Sequence, residues 1–435
     1  MKPAIQKCCR ARAAKFILLC QLLLLAACSE GGSPFAITGC SIAQQNETVH
    51  KTMLDSYYWY DRVASSIDYN AFASPAETLD YLRYATLDRF SYISPQADFS
   101  NFINNGTYLG YGFAYKVESD DSVWVQFVYT LSPATTAGLQ RGDRILSVNG
   151  QPVASIIAAD SWGSVFGADL AGLPLALEIQ RNMALQTLSM SKATVTINTV
   201  LFSDIIDNGT NKIGYLVFNN FLNTSTAEFA PVFAQFKAAG VDRLILDLRY
   251  NGGGSVPVGR ELASYIKSSA AANSEVYVEL RYNNRHPEYN FAFYFSPRAN
   301  SLGLAEVTVI TSEATCSASE QLISGLDSYL DVTTIGSRSC GKPVGMNPLN
   351  FCDSTLLAVN FASFNANGQG DYYSGIPADC TAVDDLAFAL GDPAEPMLQA
   401  ARHYVENRSC LATPRPQQQP ARRPAVGLEA MIGAV

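Results

Sequence analysis

Apolar positions follow different rhythms along this chain, and the changes of rhythm divide it. Between residues 41 and 104, Val49, Met53, Tyr57 and Tyr60 recur at helical spacing and form one apolar stripe. Ser74-Pro75-Ala76-Glu77 supplies a helix start, with a cap, a proline in the first turn and a glutamate closing the capping box. This region reads as a small helical cap, and no chemistry is assigned to it. Residues 105–195 switch to strand-like runs, SVWVQFVYTL (122–131) and DRILSVNG (143–150), bounded by glycine and proline. From about 196, wholly apolar runs alternate with helix-period segments. IGYLVFNNF (213–221), RLILDLRY (243–250), EVTVITS (306–312) and YLDVTTIG (329–336) read as buried strands. That alternation predicts a largely parallel sheet covered by helices. The expected fold class is therefore multi-domain α/β. A linker and helical region spans 28–104, a β-rich module 105–195 and an α/β domain 196–405. Residues 406–435 include PRPQQQPARRP (414–424) and read as a low-complexity, disordered tail.

The first 27 residues stand apart. Five cations, Lys2, Lys7, Arg10, Arg12 and Lys15, precede the apolar run FILLCQLLLL (16–25), followed by Ala26-Ala27-Cys28. A basic front, a short apolar run and small residues predict an export signal, too short to span a bilayer comfortably. Removing residues 1–27 takes five cations and no anion, which moves the formal charge from −9 to −14. So acidic a chain is a poor partner for a phosphate backbone. With 48% hydrophobic and 16% charged residues, its 435 residues suit two or three folded domains. Beyond the signal and Cys28, six cysteines remain: Cys40, Cys316, Cys340, Cys352, Cys380 and Cys410. An even number in an exported protein points to disulfides, and no CxxC cluster suggests a metal site.

One segment carries candidate chemistry. In CSASEQLISGL (316–326), Ser317-Ala318-Ser319-Glu320 is a capping box before an apolar run, which by itself only satisfies loose N–H groups. A nucleophile at the same position would also sit beside N–H donors and the positive end of the helix dipole. The strand, helix and strand around it form one βαβ unit, whose loops emerge at the carboxyl edge of a parallel sheet, where sites form. The second of those loops, SRSCGKPVG (337–345), carries Lys342, 25 positions after Ser317. LILDLR ends at the same edge in Tyr250-Asn251-Gly252-Gly253-Gly254, whose glycines let backbone N–H groups approach a developing oxyanion. A hydroxyl, an amine and a donor loop thus converge. A free lysine is protonated near neutral pH, so such a base needs a dry pocket.

Two resemblances add to this. SPATTAGLQRGDRILSVNGQPV (132–153) resembles a PDZ domain, with Gly110-Tyr111-Gly112-Phe113 as the matching carboxylate-binding loop. That implies peptide capture by strand addition, at Gly112 and Phe113. Ser-Ala-Ser-Glu, the distant Gly-Lys and Asp-Leu-Arg-x-Asn-x-Gly-Gly resemble the carboxyl-terminal processing, or tail-specific, serine peptidases, over roughly residues 107–380. The resemblance implies Ser317 as nucleophile, Lys342 as general base and Glu320 as orienting residue. It assigns the oxyanion hole to the N–H groups of Gly253 and Ala318, and it calls for no cofactor or metal. The chain departs from the pattern at Gly252, at Pro343 and at Cys316. Because Cys316 and Cys340 flank the implied pair, a disulfide between them is expected, with Cys352–Cys380 and Cys40–Cys410 as looser pairings. LAAC (25–28) resembles a bacterial lipoprotein box, which implies lipid on Cys28 and, with Ser29 next, sorting to the outer membrane. The expectation is an envelope endopeptidase acting on unstructured or carboxyl-terminal segments. Its rival is an inactive PDZ scaffold; a small-ester hydrolase is less favoured because no G-x-S-x-G surrounds Ser317. His50, His286 and His403 have no companion motif and read as structural or solvated.

Overall fold

In the computed structural model of this protein, residues 39–267, 272–412 and 428 are described. The signal, Cys28 and most of the tail fall outside them. No described helix is long and apolar enough to cross a membrane.

The apolar runs after residue 200 assemble into a six-stranded sheet. In spatial order it is Val200–Asp207, Lys212–Phe218, Arg243–Asp247, Glu306–Thr311, Asp331–Gly336 and Cys380–Thr381. The first pair is antiparallel and every later pair parallel. Successive side chains on a strand point to opposite faces. Leu216, Phe218, Leu244 and Leu246 therefore meet Phe229, Phe233, Leu262, Leu322 and Leu326 on one side. Ile213, Tyr215 and Ile245 meet Met397, Leu398, Ala401 and Val405 on the other. Helices Ser225–Ala239, Val256–Ile266 and Ala318–Asp327 cover the first face, and Pro396–Asn407 the second. Burial on both faces is why these strands are continuously apolar.

The β-rich module has strands Phe113–Val117, Val123–Val128, Arg144–Val148, Pro174–Arg181 and Ala184–Ser191 in one sheet around Phe113, Val125, Ile145 and Leu177. Phe113–Val117 lies at the sheet edge.

The N-terminal region differs from the expected helical cap. It has helices Ile42–Ser56 and Pro75–Leu82, but Tyr92–Pro95 is a strand paired antiparallel with Ser354–Leu357. Tyr92 and Ile93 favour a strand, and Pro95 is tolerated at its end. Val49, Met53 and Tyr57 share a core with Val344, Phe351, Leu356 and Val359. The region is thus built into the wall of the α/β domain.

Among the described residues three disulfides form: Cys316–Cys340, Cys40–Cys352 and Cys380–Cys410. The pairings Cys352–Cys380 and Cys40–Cys410 are not made. Cys352 sits on the turn between strands Leu349–Phe351 and Ser354–Leu357, against Gly39 at the chain's N-terminal side. Cys380 opens the sheet's edge strand, beside Cys410 just past the last helix. The last bridge carries the ordered fold past residue 405.

Candidate active site

Ser317 stands at the N-terminus of helix Ala318–Asp327 with φ 56° and ψ −113°. Non-glycine residues in such a conformation cost about 1–3 kcal/mol and persist only where the surroundings over-determine them. The surroundings here are specific. Cys316 N donates to Asn251 O (3.0 Å), Ser319 Oγ donates to the same carbonyl (3.0 Å), and Cys340 N donates to Thr315 O (3.0 Å). The turn before the helix is thus tied to both neighbouring loops.

Glu320 holds the centre. Its carboxylate is wholly buried and accepts four hydrogen bonds. Oε1 takes Ser339 Oγ (2.5 Å) and Gly341 N (2.7 Å), while Oε2 takes Lys342 N (2.8 Å) and Ser317 N (3.0 Å). The backbones of candidate nucleophile and candidate base therefore hang on one oxygen atom. Burial pushes this carboxyl above its ordinary value, opposed by those hydrogen bonds. The Cys316–Cys340 bridge closes the same two loops with a covalent link.

Lys342 is buried, and desolvation lowers its amine from 10.5 to about 8 against the attraction of Asp88 and Glu320. A neutral fraction large enough for proton abstraction then exists near pH 7–8. Both charges that oppose the shift are themselves buried.

The donor loop reaches the nucleophile because Gly253 has no side chain. At φ +106°, a Cβ there would lie 2.8 Å from Ser317 Cβ, 2.9 Å from Cys316 O and 3.1 Å from Ala318 N. Ala318 is the first helical residue, so its N–H has no acceptor within the helix. The Gly253 N–H, by contrast, donates to Asn251 Oδ1 at 2.9 Å. Asn251 was not singled out in the sequence, although it stands inside the same Asn-x-Gly-Gly stretch. An oxyanion would have to share or displace that amide oxygen.

Two further groups were given no role in the sequence. Ser339, which donates to Glu320, looks like any polar loop residue. Arg249, fully buried, pairs with Asp247 (2.7 Å), Glu395 (2.9 Å) and Asp384 (2.9 Å). Asp384 also receives Arg141 (2.7 Å), from the β-rich module, and the Tyr250 hydroxyl. An ion network thus joins that module to the start of the donor loop.

In the β-rich module, Phe113 is fully buried, so only its backbone lies on the open edge. Gly112 (φ +92°) passes so close to Ser132 that a Cβ would sit 2.2 Å from its Cβ, which accounts for glycine there by packing. The Tyr115 and Trp162 rings pack at a tilt of 34°, centroids 4.6 Å apart, between the edge strand and the short helix Trp162–Phe166. The histidines lie elsewhere. His50 bonds Ala64 O (2.7 Å), His286 pairs with Asp55 (3.1 Å) and His403 meets Asn407 (3.2 Å). Cys316, Glu320 and Cys340 bring metal-type ligand atoms together, but the two sulfurs are bonded to each other.

An α/β protein with a serine on a strained strand-to-helix turn, and a buried lysine whose backbone N–H shares one carboxylate oxygen with that of the serine, is the class these features define. Residues 212–382 match peptidase family S41, residues 44–92 the peptidase S41 N-terminal domain and residues 125–163 a PDZ domain. The chain is 25% identical over 284 residues to a carboxyl-terminal-processing protease of Picosynechococcus, covering 65% of this chain and 66% of the relative. It is 24% identical over 260 residues to the carboxy-terminal processing protease CtpB of Bacillus subtilis, covering 59% and 52%. These alignments span from about half to just under two thirds of the relatives' own length. A crystal structure described as a putative S41 protease from Bacteroides fragilis superposes with a TM-score of 0.69 at 25% identity, over 83% of this chain and 97% of that one. The chain belongs to peptidase family S41.

Proposed function

We propose that this protein is a serine endopeptidase working through a Ser317–Lys342 dyad on unstructured or carboxyl-terminal polypeptide segments. The observation that carries the reading is Glu320 Oε2, which accepts from the backbone N–H of both residues while the lysine amine is kept dry. Neutral Lys342 takes the Ser317 proton as Oγ attacks the scissile carbonyl. The N–H groups of Ala318 and Gly253 receive the oxyanion, with Asn251 Oδ1 yielding its bond. The lysine then protonates the leaving amine, and water attacks the serine ester with Lys342 again as base. Glu320 touches neither reacting atom and acts as a positioning residue. An extended segment would be gathered along the open edge of Phe113–Val117 by strand addition.

The basic, apolar and Leu25-Ala26-Ala27-Cys28 succession further supports export and lipid attachment at Cys28, holding the enzyme at the outer membrane of a bacterial envelope. Incorporation of labelled palmitate, lost in Cys28→Ala, tests this. For the activity, cleavage of a disordered polypeptide is compared among wild type, Ser317→Ala, Lys342→Ala and Lys342→Arg. Turnover only in wild type is expected, since arginine does not deprotonate. No turnover by wild type would leave a peptide-binding scaffold, and turnover by Ser317→Ala would refute the nucleophile.

A further inference from the structure

The Lys342 amine faces a part of the chain to which no chemistry was assigned. Asp88-Arg89-Phe90-Ser91 lies between helix Pro75–Leu82 and strand Tyr92–Pro95. The Asp88 carboxylate is buried and organises the turn. It accepts Phe90 N (3.0 Å), Ser91 N (2.9 Å), Ser91 Oγ (2.6 Å) and Tyr57 OH (2.7 Å). Ser91 Oγ in turn accepts Val359 N (2.9 Å), which fixes the turn to the α/β domain. So held, the turn presents Phe90 with its ring centroid 5.2 Å from Lys342 Nζ, and Arg89 donates to the Cys340 carbonyl on the base loop. Arg89's guanidinium lies 4.6 Å from the same ring.

We propose that Phe90 is a positioning residue for the base: its ring is the wall that keeps water from the Lys342 amine and holds that amine turned toward Ser317. The N-terminal region then contributes to catalysis by supplying the dry side of the lysine pocket. Asp88 on this turn and Glu320 on the nucleophile helix are the charges that act on the amine, Arg89 holds the Cys340 carbonyl on the base loop, and none of the three is itself substituted when Phe90 is replaced. The proposal builds on the dyad reading but has its own observable.

Phenylalanine at this position acts on the amine in two opposed ways. Excluding water disfavours the ammonium, whereas its π-face attracts the cation. The direction of change on truncation decides between them. Protein carrying lysine labelled with carbon-13 at Cε is titrated by NMR, with the Lys342 signal assigned by its loss in Lys342→Arg. In Phe90→Ala the titration midpoint is expected to rise by about one pH unit or more toward the ordinary lysine value. Phe90→Leu, which keeps an apolar wall, should stay within about 0.3 unit of wild type. In the peptidase assay the acid limb of the kcat/KM profile should move upward by the same amount, with KM little changed. Near pH 7.5 the loss should be about tenfold or more and be largely recovered at high pH. Phe90→Val covers the case in which the alanine variant does not fold, and an intermediate rise is expected for it. An unchanged or lowered midpoint in a folded variant overturns the proposal. A wild-type protein without peptidase activity but with the predicted midpoints would refute the dyad reading and leave the Phe90 wall standing.

Discussion

A buried base that must lose its proton costs the folded state something, and Lys342→Met measures how much. The amine titrates at about 8 in the fold against 10.5 ordinarily. Each tenfold change in proton affinity is worth ~1.4 kcal/mol, so holding the ammonium in this pocket costs about 3 kcal/mol below pH 8. The folded value is the lower one, so the unfolded chain binds the proton more tightly. Stability from this group is therefore complete above pH 10.5, falls as pH drops from 10.5 to 8, and stays low below that. Methionine fits a similar volume without charge, at a packing cost of up to about 1 kcal/mol. Lys342→Met should therefore be more stable than wild type by about 2 kcal/mol at pH 7. The gap should close as pH approaches 10.5. Urea unfolding of both proteins, disulfides intact, at half-unit steps from pH 6.5 to 10.5 provides the test. If wild type is at least as stable as Lys342→Met at pH 7, or if the difference does not vary with pH, the account of a desolvated base fails.

Glu320→Gln should separate charge from placement. Removing the anion lowers the Lys342 value and moves the acid limb of kcat/KM down, while misplaced loops cut the plateau about tenfold to a hundredfold; an upward move of the limb contradicts this. Gly253→Ala puts a methyl 2.8 Å from Ser317 Cβ at a backbone angle alanine resists, and peptidase turnover should drop at least about a hundredfold with the fold retained by circular dichroism. Arg249→Met leaves Asp247, Asp384 and Glu395 facing one another in the interior, and urea unfolding should register a loss of about 3–5 kcal/mol.

The fold class was readable because burial on both sheet faces forces unbroken apolar runs such as Ile213–Phe218 and Leu244–Leu246, and those runs announce themselves locally. The residues gathered around Ser317 were readable for a related reason: each lies at the end of one of those strands or on the helix between them. What stayed hidden depends on partners remote in sequence. Tyr92–Pro95 becomes a strand only because Ser354–Leu357 is there to pair with it. Cys40 and Cys352 are 312 positions apart, and nothing near either names the other. Asn251 gives no hint that its side chain takes the Gly253 N–H, and nothing near Phe90 in the sequence points to the lysine that lies against it. Arg249 reads as a strand-end cation, while its counter-charges Asp384 and Glu395 arrive from the last stretch of the domain.

The Cys40–Cys352 bond also decides how the molecule bears load. A pull on the chain ahead of residue 40 does not peel the first helix away turn by turn. It enters through sulfur at the hairpin Leu349–Leu357, which is sewn to Tyr92–Pro95 and thereby to the wall of the lysine pocket. A single backbone cut anywhere between 40 and 352 likewise frees no fragment, since both pieces remain on one covalent thread.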